Sequence, residues 1–93
     1  MAEEPKQKAN TGYFPAPTEL RGFPGAKQAK RKTRIPGAGL RQRWKLDNGN
    51  ILEWDYRHGT VEMYDKRGNH VGEFDGHTGD RLKPANPDYR VEP

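Results

Sequence analysis

Residues 51–64 (ILEWDYRHGTVEMY) constrain the fold more than any other stretch of this 93-residue chain. Trp54 and Tyr56 alternate with Glu53 and Asp55, which is the period of two expected of a β-strand with one apolar and one polar face. The alternation resumes after Gly59. Two alternating strands joined by a short glycine-containing turn predict a β-hairpin.

A turn at His58-Gly59 sets the register of this hairpin, because glycine supplies the positive φ that tight turns need. Asp55 is then opposite Glu62, with His58 at the mouth of the same face, and a four-residue loop over 57–60 keeps that pairing. The apolar face carries Trp54, Tyr56, Val61 and Met63. Directly opposed carboxylates repel each other, so the pair either has a function or is loosely solvated.

Turn signals recur on both sides of the hairpin, at 47–50, 65–69 and 76–79. They predict strands at 40–46, 51–56, 60–64, 70–75 and 81–83, with a further edge at 89–91. Val71 and Phe74 break the alternation of their strand, which suggests a β-bulge near Gly72. Short strands at this spacing predict a mainly β protein, an antiparallel meander in one small domain.

The N-terminal part of the chain is expected to have a different organisation from the sheet. Residues 1–11 are expected to be disordered, and 12–93 to form one domain, with a strap and basic arm at 12–39 and the sheet at 40–93. Pro15 and Pro17 favour extended backbone in the strap, and 18–20 could form one helical turn. The sequence has no cysteine, no run of roughly 20 apolar residues that could span a membrane, and no signal-peptide pattern.

The charge is distributed unevenly. Residues 20–46 contain nine Lys or Arg and no acid, whereas 47–93 contain ten acids and six bases. A basic first half suits a polyanionic partner, and the densest run, the basic arm at 26–34, predicts phosphate contacts. The predicted RNA-binding residues are Lys27, Lys30, Arg31, Lys32, Arg34, Arg41, Arg43, Lys45 and Lys83. A solvated linker is the alternative for the arm.

The acidic face of the hairpin has the groups needed to cleave RNA. Its 2′-hydroxyl can attack the adjacent phosphate if one group removes its proton, another protonates the leaving oxygen and a cation stabilises the added charge. Two close carboxylates also raise one pKa. Asp55, His58 and Glu62 could alternatively bind a metal ion, or be ordinary turn and surface residues. We treat His70 and His77 as surface residues.

The motif Glu53-Trp54-Asp55-x-x-His58-Gly59-x-x-Glu62 resembles the cytotoxic ribonuclease domain of ribosome-inactivating colicins. The similarity covers roughly residues 12–92. It continues through Tyr64, His70-Val71-Gly72-x-Phe74-Asp75, Thr78-Gly79 and Leu82-Lys83, and upstream through Arg41-x-Arg43-Trp44 and Tyr13-x-Pro15-Ala16-Pro17. The same domain is found at the C-terminal ends of contact-dependent inhibition toxins and of some bacteriocins.

The resemblance implies a highly twisted antiparallel sheet and a toxin that cleaves one phosphodiester of 16S ribosomal RNA in the decoding centre, without a metal or other cofactor. The family's essential Asp, His and Glu match Asp55, His58 and Glu62. Its essential Arg matches Arg90 after a shift of one residue, with Tyr89 at the gap-free position. We assign Glu62 as the general base, His58 as the acid, Arg90 to the phosphorane charge and Asp55 to orienting His58, and the base and acid could be exchanged.

The resemblance also implies partners and a destination. We expect a toxin domain of a larger bacterial polypeptide with receptor-binding and translocation domains, Met1 being an added start residue. It would bind an acidic immunity protein, be released or delivered by the producing cell, and act in the cytoplasm of the target bacterium. Two rival hypotheses remain: a non-catalytic RNA-binding β module, and a ribonuclease of broader specificity acting on tRNA or mRNA.

Overall fold

The structure, a computed structural model, describes Lys8 and residues 12–93. The disorder predicted for 1–11 therefore concerns residues that, Lys8 apart, lie outside those described. The described residues form a six-stranded antiparallel sheet and a separate two-stranded sheet, with no helix. None of them forms a helix that could cross a membrane. The predicted mainly β fold is confirmed.

The six-stranded sheet has the strand order β1-β4-β5-β6-β7-β8. The strands are β1 Lys27–Ala29, β2 Arg34–Ile35, β3 Gly39–Leu40, β4 Arg43–Lys45, β5 Ile51–Asp55, β6 Thr60–Tyr64, β7 His70–Phe74 and β8 Arg81–Pro84. From β4 to β8 the chain runs as the predicted meander. The edge strand β1 was not predicted, because it lies within the basic arm and carries no apolar alternation.

Three predicted elements differ in the structure. The strand expected at 40–46 is divided, since Leu40 belongs to the small β2–β3 hairpin and the chain bends before Arg43, where Arg41 N–H donates to the Thr33 carbonyl. The edge expected at 89–91 is reduced to one bridge between Asn69 and Arg90. Residues 18–20 are not helical, and the chain turns instead through a bond from Phe23 N–H to the carbonyl of residue 20.

The register predicted for the β5–β6 hairpin is wrong by two residues. Glu53, not Asp55, lies opposite Glu62, and Asp55 pairs with Thr60. The loop is therefore residues 56–59. A two-residue turn of type I′ or II′ at His58-Gly59 would need positive φ at His58, whereas among the described residues only glycines, Gly59 included, have positive φ.

The Asp55 side chain explains the longer loop. Its Oδ1 accepts hydrogen bonds from the backbone N–H groups of Arg57 and His58, both at 3.0 Å, and Gly59 N–H returns to the Asp55 carbonyl at 2.8 Å. Asp75 organises residues 75–79 in the same way. Hydrogen bonds that an aspartate accepts from the backbone N–H groups following it favour turns.

The apolar face of the sheet forms the core. Its buried cluster consists of Leu20, Trp44, Leu52, Trp54, Val61 and Met63. The strap covers one side of it, because Phe14 N–H donates to the Tyr56 carbonyl at 2.7 Å and the Trp54 indole N–H donates to the Phe14 carbonyl at 2.9 Å. The extended strap and the apolar hairpin face are thus as the sequence predicted.

The bulge predicted near Gly72 is present and changes the direction of a side chain. Met63 pairs with Gly72, but the next residue of β6, Tyr64, pairs with His70. The extra residue, Val71, packs against the core together with Phe74. Because a bulge re-aims the side chains beyond it, His70 joins the face that carries Glu62.

Candidate active site

A row of charged side chains crosses the sheet on the face opposite the core. Direct cross-strand partners follow one another from Arg43 to Glu53, Glu62, Glu73 and Lys83. Side chains opposite each other on one face of an antiparallel sheet lie close together. Three carboxylates therefore occupy the centre of the row and a base stands at each end.

The carboxylate of Glu53, the first of the three in the row, is paired with Arg43 inside the protein. The Arg43 guanidinium donates to Glu53 Oε2 through Nε at 2.9 Å and Nη2 at 2.7 Å, and the Thr33 hydroxyl donates to the same oxygen at 2.7 Å. The two charged side chains are 1% and 0% exposed. Arg43 is thus a buried partner of Glu53, which removes it from the surface that the sequence prediction assigned to RNA.

The Asp55 carboxylate connects the turn to the imidazole of His58. Asp55 Oδ1 accepts hydrogen bonds from two backbone N–H groups of the turn, and Asp55 Oδ2 lies 2.8 Å from His58 Nδ1. Burial alone would raise the pKa of Asp55, but hydrogen bonds involving Glu62 and the backbone and ring of His58 lower it below its ordinary value. An ionised Asp55 favours a proton on the Nδ1 of His58, and the His58 side chain is half exposed.

Glu62 has the opposite environment. Burial first, then hydrogen bonding with Asp55 and the negative charge of Glu73, raise the pKa of Glu62 to about 9. Like charges in a desolvated site cannot all ionise together. The two shifts have opposite directions, so they favour a proton on Glu62 and a charge on the adjacent Asp55.

Two members of the site were missed by the sequence analysis. His70 is buried, not a surface residue as expected, and its Nε2 lies 2.8 Å from Glu62 Oε1. Glu73 is also buried, with Oε1 3.9 Å from His58 Nδ1. The irregular alternation around Gly72 was the available signal for His70, since it fixes which residues of β7 face the site. His77 is exposed, as expected.

The site opens into a cleft of about 790 Å³. Its lining includes all four predicted catalytic residues: Asp55, His58, Glu62 and Arg90. Tyr89, half exposed, lines the same cleft, as do Arg41, Arg57 and Lys83. The cleft thus combines a cluster of acids and an imidazole with a largely basic rim.

The remaining predicted RNA-binding residues are not part of this lining and lie on β1, β2 and β4 and in the chain between β1 and β2. Lys27 and Lys45 are exposed and directly paired across the β1–β4 edge. Lys30, Arg31 and Arg34 are also exposed, and the Arg31 guanidinium donates to the Gln42 side chain. Lys32 is partly buried and donates to the Pro93 carbonyl at 2.6 Å, near Glu92.

The acidic cluster also bears on the metal alternative. Asp55, His58, Glu62 and Glu73 each present one donor atom, all within 4.8 Å of one another. The three residues considered from sequence are therefore close together, with Glu73 as a fourth. The proton on Glu62 would have to leave before that carboxyl could bind a cation.

The amino-acid sequence of the chain is similar to those of known proteins. A family model described as Cytotoxic matches residues 14–92. Over 85 residues, the chain is 41% identical to colicin E3, 38% identical to colicin-E6 and 38% identical to cloacin, all from Escherichia coli. Each alignment covers 86% of this chain and 15% of the relative, so the chain spans about one seventh of the length of these relatives. The predicted resemblance is confirmed, and the chain belongs to the Cytotoxic family found in the colicins.

Proposed function

We propose that this domain is an endoribonuclease that cleaves RNA by transferring the phosphate to the neighbouring 2′-hydroxyl. The observation that carries the proposal is the Asp55–His58 pair beside Glu62, a carboxyl with a raised pKa, in a cleft with a basic rim. A general base and a general acid side by side meet the two proton-transfer requirements of this reaction.

The protonation states support one assignment of roles, which exchanges the base and acid first expected from sequence. His58 Nε2 accepts the 2′-hydroxyl proton, and Asp55 holds the resulting imidazolium through Nδ1–H. The attacking oxygen bonds to phosphorus as the bond to the 5′-oxygen breaks, and Glu62 gives its proton to that oxygen. The products are a 2′,3′-cyclic phosphate and a 5′-hydroxyl. A base that is free and an acid that is protonated near neutral pH are what such catalysis requires.

The added negative charge on phosphorus needs a cationic partner. Arg90 is proposed for this role because it lines the same cleft as the acids, and guanidinium groups bind phosphate oxygens in a bidentate manner. Arg41 and Lys83 line the same cleft and would bind neighbouring phosphates. Arg43 is left out, because its guanidinium is buried against Glu53.

The exposed basic residues support binding of a large structured RNA. Lys27 and Lys45 stand directly opposite each other on the sheet edge. Such like-charge pairs are unfavourable in isolation, but they favour a polyanion. With its colicin relatives, this supports 16S ribosomal RNA in the small subunit as the substrate, an acidic immunity protein as the partner, and action in the cytoplasm of a target bacterium after delivery by a larger toxin.

Intact ribosomes provide the direct test. Incubation with the domain should yield one discrete 3′ fragment of 16S RNA bearing a 5′-hydroxyl. Cleavage should also survive EDTA when a polyamine, which EDTA does not chelate, keeps the ribosomes intact. Cleavage of tRNA or mRNA instead would support the broader-specificity alternative. A strict requirement for a divalent ion in the chemical step would refute the metal-free mechanism, and binding without cleavage would leave only an RNA-binding module.

A modified substrate distinguishes the two role assignments. If sulfur replaces the scissile 5′-oxygen of a cleavable RNA, the leaving group needs no general acid. Glu62→Gln should then recover most of its lost single-turnover rate, while His58→Ala should not. The reverse pattern would return Glu62 to the role of base.

A further inference from the structure

His70 is a buried histidine with both ring nitrogens engaged, and the proposed chemistry leaves it without a role. On one side of the ring, the backbone N–H of Asn86 donates to Nδ1 at 2.9 Å. On the other side, Nε2 lies 2.8 Å from Glu62 Oε1. The ring also makes edge-on contacts with Tyr64 and Tyr89, at centroid distances of 5.3 and 5.2 Å.

The bond from Asn86 determines the tautomer of His70. A backbone N–H can only donate, so Nδ1 must present its lone pair and carry no proton. An imidazolium, which carries a proton on both nitrogens, does not fit this bond. Burial acts in the same sense, because it lowers the pKa of His70. A neutral ring with a bare Nδ1 has its proton on Nε2. His70 therefore donates to Glu62 Oε1.

This donation has a consequence for Glu62. An oxygen that accepts the His70 proton is the unfavourable site for the carboxyl's own proton, so the latter is held on Oε2. The alternative, with Glu62 Oε1–H donating to His70, would need a bare Nε2 and a protonated Nδ1, which the Asn86 N–H opposes at 2.9 Å.

We propose that His70 is a positioning residue for the cleavage reaction: as the Nε2–H tautomer it holds Glu62 Oε1 and leaves the reactive proton on Oε2. Asn86, two residues before Asp88 in the segment that continues to Arg90, fixes this tautomer and so connects the C-terminal segment to the acid. A second bond, from His70 N–H to the Tyr89 carbonyl at 3.3 Å, joins the same segment to β7. The inference rests on the proposed ribonuclease function and on Glu62 as its general acid.

The tautomer can be measured without any activity. Nitrogen-15 NMR of the folded wild-type domain should show His70 with a protonated Nε2 and an unprotonated Nδ1 throughout pH 6 to 8. A protonated Nδ1, or rapid exchange between tautomers, would overturn the inference. This result stands apart from the proposed function, which fails only if the wild-type domain does not cleave RNA.

Two variants then test the effect on the acid. His70→Phe keeps a planar ring but cannot donate, and should lower the single-turnover rate on ordinary RNA by roughly 10- to 100-fold, as misplacement of a reacting group does. His70→Gln, whose amide can donate to Glu62, should recover part of this loss. With sulfur as the leaving atom, His70→Phe should approach the wild-type rate, because the acid is then unnecessary.

His77→Phe is the matched control, because His77 is exposed in the turn after β7. This substitution should change the cleavage rate on neither substrate. An equal loss by His70→Phe on both substrates, in a domain shown by circular dichroism to be folded, would mean that His70 only supports the structure. An unchanged rate on ordinary RNA would equally refute positioning. If His70→Phe does not fold, the comparison of the two substrates is made with His70→Gln, whose smaller deficit should vanish with the sulfur substrate.

Discussion

Neutralising Glu73 should narrow the pH range in which the domain is active. Glu73 is the cross-strand partner of Glu62, and their carboxylate oxygens lie within 4.8 Å of each other. At that distance and an effective dielectric constant of about 20, two unit charges interact by about 3.5 kcal/mol, which corresponds to about 2.5 in the pKa of Glu62. Solvent in the open cleft weakens this repulsion, so Glu73→Gln should lower the pKa of Glu62 from about 9 by roughly 1 to 2. Burial and Asp55 still hold it above its ordinary value.

The consequence for catalysis follows from the fraction of Glu62 that keeps its proton. A fall from about 9 to about 7.5 reduces that fraction little at pH 6.5 but roughly eightfold at pH 8.5. Single-turnover cleavage measured from pH 6 to 9.5 should therefore show the alkaline limb displaced to lower pH in Glu73→Gln. Glu19→Gln, an exposed carboxylate of the strap, should leave the limb in place. An alkaline limb unmoved in folded Glu73→Gln would refute the assignment of Glu62 as the titrating acid.

Three further substitutions test separate parts of the structure. Arg43→Met leaves Glu53 charged and buried, so the free energy of unfolding measured in urea should fall by about 3 to 5 kcal/mol, and a loss under about 1 would contradict the buried ion pair. Asp55→Asn keeps an oxygen for the turn but loses the acceptor for His58 Nδ1–H, so cleavage should fall roughly 10²-fold or more while Asp75→Asn, at the matching turn, leaves it unchanged. Lys30→Gln should weaken ribosome binding and reduce the log–log salt slope by at most about 0.9, with the single-turnover rate on saturated ribosomes unaltered, and a loss of that rate would instead put Lys30 near the reacting phosphate.

The sequence predicted the meander and the core because both depend on local patterns. Trp54, Val61 and Met63 occupy alternate positions in two strands, and that period places them on one face whatever the length of the turn. Register is a different matter. The register was decided by the Asp55 side chain, which accepts hydrogen bonds from the backbone N–H groups of the residues that follow and so enlarges the loop. The alternation of apolar and polar residues does not show whether such bonds form.

The site was predicted in part for the same reason. Asp55, His58 and Glu62 lie within eight residues of one another, so their proximity survives an error of two residues in the register. Glu73 and His70 come from the next strand, and their approach depends on pairing across β6–β7. For His70 the bulge at Val71 also had to be followed to its end, because an extra residue moves every side chain beyond it to the other face.

The edge strand β1 could not be predicted from amino-acid composition. Lys27 and its neighbours contain no acid and little apolar surface, which is typical of a solvated nucleic-acid-binding arm. Lysine-rich edges are also how sheets avoid pairing with other chains. Both descriptions fit β1, whose residues pair with β4 while Lys27 remains exposed. Charge alone therefore could not separate an arm from the border of a sheet.

Removing the acid of the proposed reaction should stabilise the domain in alkaline solution. In the folded state the pKa of Glu62 is about 9 against an ordinary value of 4.5. Between these values the folded state holds a proton that the unfolded chain has released. The contribution of Glu62 to stability is therefore fully present below pH 4.5 and declines as pH rises towards 9, by at most about 1.4 kcal/mol per pH unit. Asp55 has a lowered pKa, so its contribution is lost only as pH falls below its ordinary 3.8. The pKa of His70 is lowered from 6.5, so above pH 7 it adds no slope.

Glu62→Gln should abolish this decline while abolishing cleavage. The glutamine oxygen can still accept the His70 N–H, and no proton has to be retained among Asp55 and Glu73. Relative to wild type, the free energy of unfolding of the variant should therefore rise by about 2 kcal/mol between pH 7 and pH 9. Urea unfolding at half-unit intervals from pH 7 to 9 measures both slopes. Glu92→Gln, whose side chain is 73% exposed, should retain the wild-type slope. Parallel slopes for wild type and Glu62→Gln would mean that Glu62 is already ionised near neutral pH, and the acid would then have to be sought in His58.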